Sequence, residues 1–300
     1  MKSLLKRKFI PLAIFLLPVF ALMACQGEVD PYTQEINEWH ENRIETLKQP
    51  MGWLKLDGLY WLEEGESTFG TARGNDVMFP ESGLPGNAGV FIRENDEVRM
   101  IVDENARITH EGEEISDVML YEDGESKTVK SGDLTWMIIQ RDELVGVRLY
   151  NERAEAYQRF RDIPRYRVSE DWKIEGRFEP FDQPFTINIQ NILGQLNEEE
   201  ISGMIYFEKD GEEFSLLPID SGERFFLIIA DQTNRGETYA GGRFIYIDKP
   251  QDGNNTVTID LNMLYNPPCA LSPYSTCPMP PEENNLALRI EAGEKLPRTR

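Results

Sequence analysis

The fold of this chain is decided by TYAGGRFIYID at residues 238–248 and by DLNMLYNPPCALSPYSTCPMPPEENNL at residues 260–286. The first stretch places two glycines before an arginine and an alternating apolar run, and the second holds two cysteines in a proline-rich loop. A glycine pair beside a strand is typical of a bulge or bend. Aspartate and amides form strands poorly, so their presence here asks for a reason other than strand propensity.

Around these stretches, residues 156–297 are predicted to form a C-terminal β domain, either an antiparallel β-barrel or a curled sandwich. The β-rich runs lie near residues 172–178, 185–192, 203–208, 214–219, 225–230, 239–248, 257–262 and 286–291. Side chains alternate along a strand, which groups the polar residues of two runs on one face each. These two rows are Thr258, Asp260 and Asn262, and Thr186, Asn188 and Gln190. Each row is either a solvent face or the lining of a site.

The rest of the chain is also predicted to be mainly β, after one N-terminal helix. Asp30 and Pro31 match an N-cap followed by proline at the first helical position. Five residues follow at helical spacing and predict an amphipathic helix ending near residue 50, with His40 beside the apolar stripe as a surface residue. They are Tyr32, Ile36, Trp39, Arg43 and Leu47.

Residues 51–155 are predicted to form an N-terminal, sandwich-like β domain.

Three acidic or amide turns followed by glycine predict hairpins. They are Glu122-Asp123-Gly124, Lys209-Asp210-Gly211 and Gln251-Asp252-Gly253.

The N-terminus matches a lipoprotein signal peptide over residues 1–24. Basic residues precede an apolar run at residues 9–22, which ends in Leu22-Met23-Ala24-Cys25. Pro11 interrupts this run, and it is shorter than the roughly 20 apolar residues of a membrane-spanning helix. We therefore expect cleavage before Cys25, lipidation of Cys25, a lipidated tether and helix over residues 25–50, and an extracytoplasmic protein anchored to a bacterial membrane.

The two remaining cysteines, Cys269 and Cys277, are expected to form a local disulfide outside the cytoplasm. The short loop predicts a stabilisation of about 2–3 kcal/mol. His40 and His110 are the only histidines and neither is near the cysteine pair in sequence, which argues against a zinc site. No cofactor or metal is expected.

The formal net charge of the chain is -22 at pH 7. Such an acidic chain is not expected to bind nucleic acid, because the phosphate backbone repels it. A solvated acidic surface that favours solubility explains most of this charge.

Together with GWLKLDGLYWLEEGESTFG at residues 52–70, the C-terminal motifs resemble a bacterial and archaeal domain-of-unknown-function family, number 1684, over nearly the whole chain after the leader. This family has no established activity. The family pattern runs Asp-x-Thr, Thr-Tyr-x-x-Gly-Arg, Asp-Phe-Asn and Tyr-Asn-Pro-Pro-Cys. The matching residues here are Asp231, Thr233, Thr238, Tyr239, Gly242, Arg243, Asp260, Asn262, Tyr265, Asn266, Pro267, Pro268 and Cys269. Leu261 replaces the aromatic residue, and Met263 stands where an arginine is common.

In the first half, GESTFG at residues 65–70 and the strands after it weakly resemble a forkhead-associated-type sandwich. Thr71 follows Gly70 where that fold uses an arginine, and Gly83 follows Ser82 where it uses a serine-to-histidine pair. Phosphothreonine binding therefore does not follow from the resemblance.

Arg243 and Asp260 are expected to form a charge-assisted pair, either as part of the fold or as part of a ligand site. The candidate ligand-binding residues are Asp231, Thr238, Tyr239, Arg243, Asp260, Asn262, Tyr265 and Asn266.

Three functions are compatible with the sequence. The leading one is a lipid-anchored protein that binds a small polar or glycan-like ligand. The second is a hydrolase of envelope material that uses Asp231 or Asp260 with Glu294 as a carboxylate pair. The third is a structural envelope lipoprotein without a pocket. The recognised nucleophile-elbow, P-loop and dinucleotide motifs are absent from the sequence, which disfavours an enzyme.

Overall fold

The computed structural model describes residues 30–251 and 254–299. The predicted signal peptide, Cys25 and residues 26–29 of the tether lie outside these residues, as does the tip of the turn predicted at 251–253. Within the described ranges, no helix is both long enough and apolar enough to cross a membrane.

The described part of the chain is mainly β, as predicted, and its first element is the predicted helix α1, Pro31–Leu47. The Asp30 side chain accepts a hydrogen bond from the Thr33 N–H at 2.8 Å, which satisfies a free donor of the first turn. Ile36 and Leu47 are buried on the inner face of the helix. His40 is also buried there, so its prediction as a surface residue was wrong. A second, short helix, α2, spans Glu155–Arg159.

The strands of the first half are β1 Leu56–Trp61, β2 Gly65–Gly70, β3 Val77–Met78, β4 Gly89–Glu94, β5 Glu97–Val102, β6 Thr109–His110, β7 Glu113–Glu114, β8 Asp117–Glu122, β9 Glu125–Ser126, β10 Val129–Ser131, β11 Leu134–Arg141 and β12 Leu144–Asn151. Their orders are β1-β12-β11-β10-β6-β7 in one sheet and β3-β2-β4-β5-β8-β9 in the other. A core drawn from both sheets surrounds the fully buried Trp136. The weak forkhead-associated resemblance is not confirmed.

The strands of the second half are β13 Phe160–Asp162, β14 Lys173–Gln190, β15 Leu196–Lys209, β16 Glu212–Leu216, β17 Ile219–Ser221, β18 Arg224–Ile229, β19 Arg243–Asp248, β20 Thr256–Asp260 and β21 Arg298–Thr299. The sheet β16-β15-β14-β20 and the sheet β17-β18-β19 form curled half-barrels, and β13 pairs with β21. Ile245 and Ile247 of β19 share one core with Val257 and Ile259 of β20. The residues that alternate with these isoleucines and valine on β19 and β20 therefore face away from that core.

Several strand predictions in this half were inexact, and the run at 214–219, for example, is divided between β16 and β17. The runs at residues 172–178 and 185–192 form one strand, β14, whose pairing with β15 is irregular between Pro180 and Phe185. The run at 239–248 becomes a strand only at Arg243, because Gly242 has a φ of 84°. The run at 286–291 forms no strand, since some of its backbone groups bond elsewhere: the Leu288 carbonyl, for example, accepts from the Gln232 N–H at 3.0 Å.

Two of the predicted hairpins are confirmed in the described residues. Asp123 and Gly124 connect β8 to β9 with φ values of 51° and 80°. Asp210 and Gly211 connect β15 to β16 with φ values of 54° and 82°. Positive φ at both central residues is the geometry that matches the twist of paired strands.

The predicted disulfide between Cys269 and Cys277 is present. Its loop reaches across to the first half of the chain, because the Ser272 hydroxyl donates to the Leu56 carbonyl at 2.8 Å. The loop therefore connects the C-terminal sheets to β1.

Gly242 fixes the start of β19, and replacing it should destabilise the protein more than replacing a glycine in an open turn. A Cβ added at Gly242 would lie 2.8 Å from the Ile229 carbonyl oxygen, whereas one added at Gly222 meets nothing within 4 Å. Both positions have positive φ, at 84° and 61°. We expect Gly222→Ala to lower the free energy of unfolding by about 1 kcal/mol and Gly242→Ala by at least about 2 kcal/mol more.

Urea unfolding of both variants measures this difference. Equal losses in the two variants would show that the close approach to Ile229 costs nothing.

Candidate functional site

Arg243 is the best-connected polar side chain of the C-terminal half, and it is fully buried. Its Nη2 lies 2.8 Å from Asp231 Oδ2 in an ion pair whose two side chains are both inaccessible to solvent. Nη2 also donates to the Ile290 carbonyl at 3.1 Å, and Nη1 donates to the Ala292 carbonyl. With its charge neutralised and most of its donors used inside the protein, Arg243 belongs to the fold.

Asp231 is held by the motif residues that follow it. Its Oδ1 accepts from the Thr233 N–H at 2.8 Å, and its own N–H donates to Asn234 Oδ1 at 2.5 Å. Asn234 in turn donates to the Tyr239 carbonyl at 2.8 Å, while the hydroxyls of Thr233 and Thr238 lie 2.9 Å apart. These contacts explain the Asp-x-Thr and Thr-Tyr motifs as a scaffold around Arg243.

The predicted pairing of Arg243 with Asp260 was therefore wrong, because Asp231 occupies that position. Asp260 instead bonds to the N-terminal helix: the Tyr32 hydroxyl lies 2.9 Å from each carboxylate oxygen. Asn262 donates to Asp260 Oδ1 at 3.0 Å and to the Ser169 carbonyl at 2.9 Å. Burial and the bond to Asp260 raise the pKa of the Tyr32 hydroxyl, so it remains a protonated donor.

Glu294 anchors the same helix at a second point. The buried Glu294 carboxylate lies 2.7 Å from Arg43 Nε and accepts from the Asn266 N–H at 2.7 Å. The Arg43 guanidinium carbon also lies 4.4 Å from the centre of the Tyr265 ring. Tyr265 is thereby held between the helix and β19, and burial raises the pKa of its hydroxyl.

A cleft of about 430 Å³ lies between α1 and the face of β19 and β20 that points away from the shared core. Three aromatic side chains border it: Trp39 of α1, Tyr246 of β19 and Tyr265. The other lining residues are Glu35, Lys173, Arg224, Ile245, Ile247, Asp248, Thr258, Asp260 and Met263. Aromatic faces beside charged and hydrogen-bonding groups suit a ligand that is itself partly apolar and partly polar.

Of the eight predicted binding residues, Asp260 and Tyr265 line this cleft. Asn262 and Asn266 are not among the lining residues, but they help to position the site through hydrogen bonds, Asn262 to Asp260 and Asn266 to Glu294. The side chains of Asp231, Thr238 and Arg243 are buried in the network around Arg243, and the Tyr239 carbonyl joins that network. The second polar row, at residues 186, 188 and 190, is exposed to solvent.

The sequence reasoning missed Tyr32, Trp39 and Arg43 as part of the site and assigned them to a packing face. A signal was present, because Tyr32 and Arg43 carry polar groups within an otherwise apolar stripe. Such groups are buried only with partners, and here the partners are Asp260 and Glu294. Among the described residues, no group of three histidine, cysteine, aspartate or glutamate side chains is arranged to hold a metal ion.

Residues 158–295 match the family model described as "Protein of unknown function (DUF1684)". The predicted resemblance to this family is thus confirmed for residues 158–295. The match includes Asp231, Arg243 and Asp260, and it excludes α1 and the sheets of the first half.

One solved structure similar to this chain is a solution NMR structure of an uncharacterised protein from Haloarcula marismortui. The two are 24% identical, with a TM-score of 0.39, and the similarity covers 45% of this chain and 77% of the archaeal one. No curated protein matches the chain.

Removing one partner of the buried pair should be costly. Arg243→Met leaves the Asp231 carboxylate buried without its cation, and we expect a loss of about 3–5 kcal/mol in the free energy of unfolding. The double variant Arg243→Met/Asp231→Leu should lose less than the sum of the two single variants, because neither charge is then left alone. Urea unfolding of the single and double variants measures the coupling, with Asp171→Asn at an exposed position as the control. Additive losses would contradict the assignment.

His40 should make stability depend on pH. Its Nε2 lies 3.1 Å from the Ile163 carbonyl oxygen, and burial lowers the pKa of the ring in the folded protein. The unfolded chain takes up a proton below about pH 6.5, where the folded protein still resists protonation. Stability from the neutral ring is therefore fully present above this pH and is lost as the pH falls towards the lower, folded pKa.

We expect the wild-type protein to lose about 1 kcal/mol of unfolding free energy between about pH 7.5 and about pH 5.5. In His40→Gln this loss should be much smaller, and His110→Gln is the control for removing a histidine. Urea unfolding at both pH values tests the assignment, and an unchanged pH dependence in His40→Gln would refute it.

Proposed function

We propose that this chain is a lipid-anchored extracytoplasmic protein that binds a small polar or glycan-like ligand in the cleft between α1 and strands β19 and β20. The observation that supports this most directly is the composition of the cleft. Trp39, Tyr246 and Tyr265 border one space together with Asp260 and further charged groups. Sugars present apolar C–H faces and hydroxyl edges, and such a lining complements both.

The rigidity of the cleft floor supports a binding role. Asp260 is fixed by Tyr32 from the helix and by Asn262 from its own strand end. Tyr265 is fixed by the Arg43 guanidinium against its ring. Side chains that are already oriented lose little conformational freedom when a ligand binds, so more of the interaction energy contributes to affinity.

The proposed location rests on the N-terminal sequence, whose basic, apolar and Cys25 segments match a lipoprotein leader. The disulfide between Cys269 and Cys277 is consistent with an oxidising compartment. With Cys25 lipidated, acyl chains would hold the protein at a bilayer.

The hydrolase alternative gains no support from the carboxylates first considered for it. Asp231 is paired with Arg243, and Glu294 is paired with Arg43 and bonded to Asn266. A retaining or inverting glycosidase needs two carboxylates facing one bond, with one of them able to hold a proton. Asp260, the other carboxylate of that hypothesis, lines the cleft but is bonded to Tyr32 and Asn262, and Glu294 is not among the lining residues. We therefore favour binding without turnover.

Calorimetric titration of the full-length lipidated protein in detergent with a panel of envelope-type oligosaccharides tests the proposal. We expect saturable binding that weakens about tenfold or more in Tyr246→Ala, or about 1.4 kcal/mol, because the variant loses an aromatic side chain that borders the cleft and the ring that holds the Arg224 guanidinium at 4.6 Å. Tyr206→Ala is the matched control: Tyr206 is also a strand tyrosine, with an arginine 5.3 Å from its ring centre, but it lies outside the cleft.

Two results would count against the proposal. The first is an absence of saturable binding across the panel, which would favour a structural lipoprotein. The second is an equal effect of Tyr246→Ala and Tyr206→Ala, which would place binding outside the cleft.

A further inference from the structure

We infer that the ligand of this cleft carries an anionic group, a carboxylate or a phosphate, and that Lys173 and Arg224 receive it. The inference rests on the proposed function and narrows it to an acidic saccharide. It starts from the positions of the two cations, which border the same cleft but come from different sheets.

Lys173 and Arg224 flank the cleft on opposite sides. Lys173 begins β14, which pairs with β20, and Arg224 begins β18, which pairs with β19. Strands β19 and β20 form the sides of the cleft, and each cation lies on the strand that pairs with one of them. A ligand group bound across β19 and β20 would therefore have one positive charge on each side.

Both cations are held by aromatic rings. Lys173 Nζ lies 4.9 Å from the centre of the Tyr32 ring, and the Arg224 guanidinium carbon lies 4.6 Å from the centre of the Tyr246 ring. Within the described ranges, neither cation has a carboxylate oxygen within 4.0 Å. A cation over an aromatic face is oriented by the ring and keeps its charge.

The overall charge makes this arrangement informative. The chain has 53 acidic and 31 basic side chains, so acidic partners are abundant and a basic side chain that forms no ion pair is unexpected. The acid opposite Lys173 in the strand register is Asp260, whose oxygens accept from Tyr32 and Asn262. Both donors are neutral, so Asp260 keeps its charge, and the acid opposite Arg224 in the register is Asp248. Among the described residues neither acid lies within 4.0 Å of the cation opposite it, so Lys173 and Arg224 keep their donors available to a ligand.

Backbone donors add to the two cations. Phe244 and Tyr265 exchange hydrogen bonds of 2.8 Å and 2.9 Å across the point where β19 approaches the segment after β20. Alternate residues of a strand direct their N–H groups to the same side, so the N–H groups of Tyr246 and Asp248 point towards that side as well. There they border the cleft and can donate to ligand oxygens.

Three acids limit how much negative charge the ligand can have. Glu35, Asp248 and Asp260 line the cleft together with the two cations, and they would repel a highly charged anion while accepting hydrogen bonds from hydroxyls. A hydroxyl-rich ring with one acidic group can interact with all three kinds of group. Its anion would pair with the cations, its oxygens would accept from the backbone donors, and its hydroxyls would donate to the acids. That combination describes a uronic acid or a sugar phosphate.

Calorimetry on the full-length lipidated protein in detergent can separate the anion from the sugar. The probes are a galacturonic acid oligosaccharide, the galactose oligosaccharide of the same length and inorganic phosphate. We expect the acidic oligosaccharide to bind about tenfold or more tightly than the neutral one, and less tightly as salt is raised, because two charge contacts are screened. Lys173→Met and Arg224→Met should each reduce this preference.

Arg177→Met is the matched control, because Arg177 also stacks on a strand tyrosine but lies outside the cleft. If inorganic phosphate binds to the wild-type protein and not to either cleft variant, the anion site is supported, and free phosphate is then an anion that it accepts. Equal binding of the two oligosaccharides, unchanged in both cleft variants, would overturn the inference and leave the proposed function standing. If none of the probes binds, both the inference and the proposed function fail for these ligands.

Discussion

The C-terminal half depends on one buried ion pair. Two opposite charges in a protein interior have lost their hydration, and they are tolerated only when their remaining hydrogen-bonding groups are satisfied. The Arg243 guanidinium meets most of this demand with Asp231 and with carbonyls of Ile290 and Ala292, and among the described residues only its Nε is left without an acceptor. By doing so it ties the start of β19 to a segment near the end of the chain that has no sheet of its own. The motifs around Asp231 and Arg243 therefore describe a way of closing the half-barrels, whereas Asp260 and Tyr265 of the later motifs line the cleft.

The cleft exists because a second set of polar contacts holds α1 against these sheets. Tyr32 bonds to Asp260 near one end of the helix, and Arg43 pairs with Glu294 near the other. Between these two anchors the helix passes over outward-facing side chains of β19 and β20 and leaves a space that they do not fill. Since the matched family region starts at residue 158, the helix that completes the cleft lies outside it.

Features that depend on residues close in sequence were predictable, and contacts between residues distant in sequence were not. The cap at Asp30, the turn at Asp210 and the disulfide depend on neighbouring residues, and each was found where expected. The partner of Arg243 depends on which strand end lies beside it in space. Alternation along a strand predicts the side of the sheet on which a residue lies, but it does not predict which residue of another strand it contacts. The strand expected at 286–291 failed for a related reason, because some of its backbone groups bond outside any ladder. His40 was misplaced because the stripe of α1 is wider than its apolar residues alone indicated.

The pairing of Arg43 with Glu294 joins residues 251 positions apart in the sequence. Helix α1 therefore cannot reach its native contacts until the segment around Glu294, 251 residues after Arg43, has been synthesised. Contacts of such long separation carry a large loop-closure cost and slow the approach to the native state. Until that contact forms, α1 lacks its anchor at Arg43, and the cleft that it borders is incomplete.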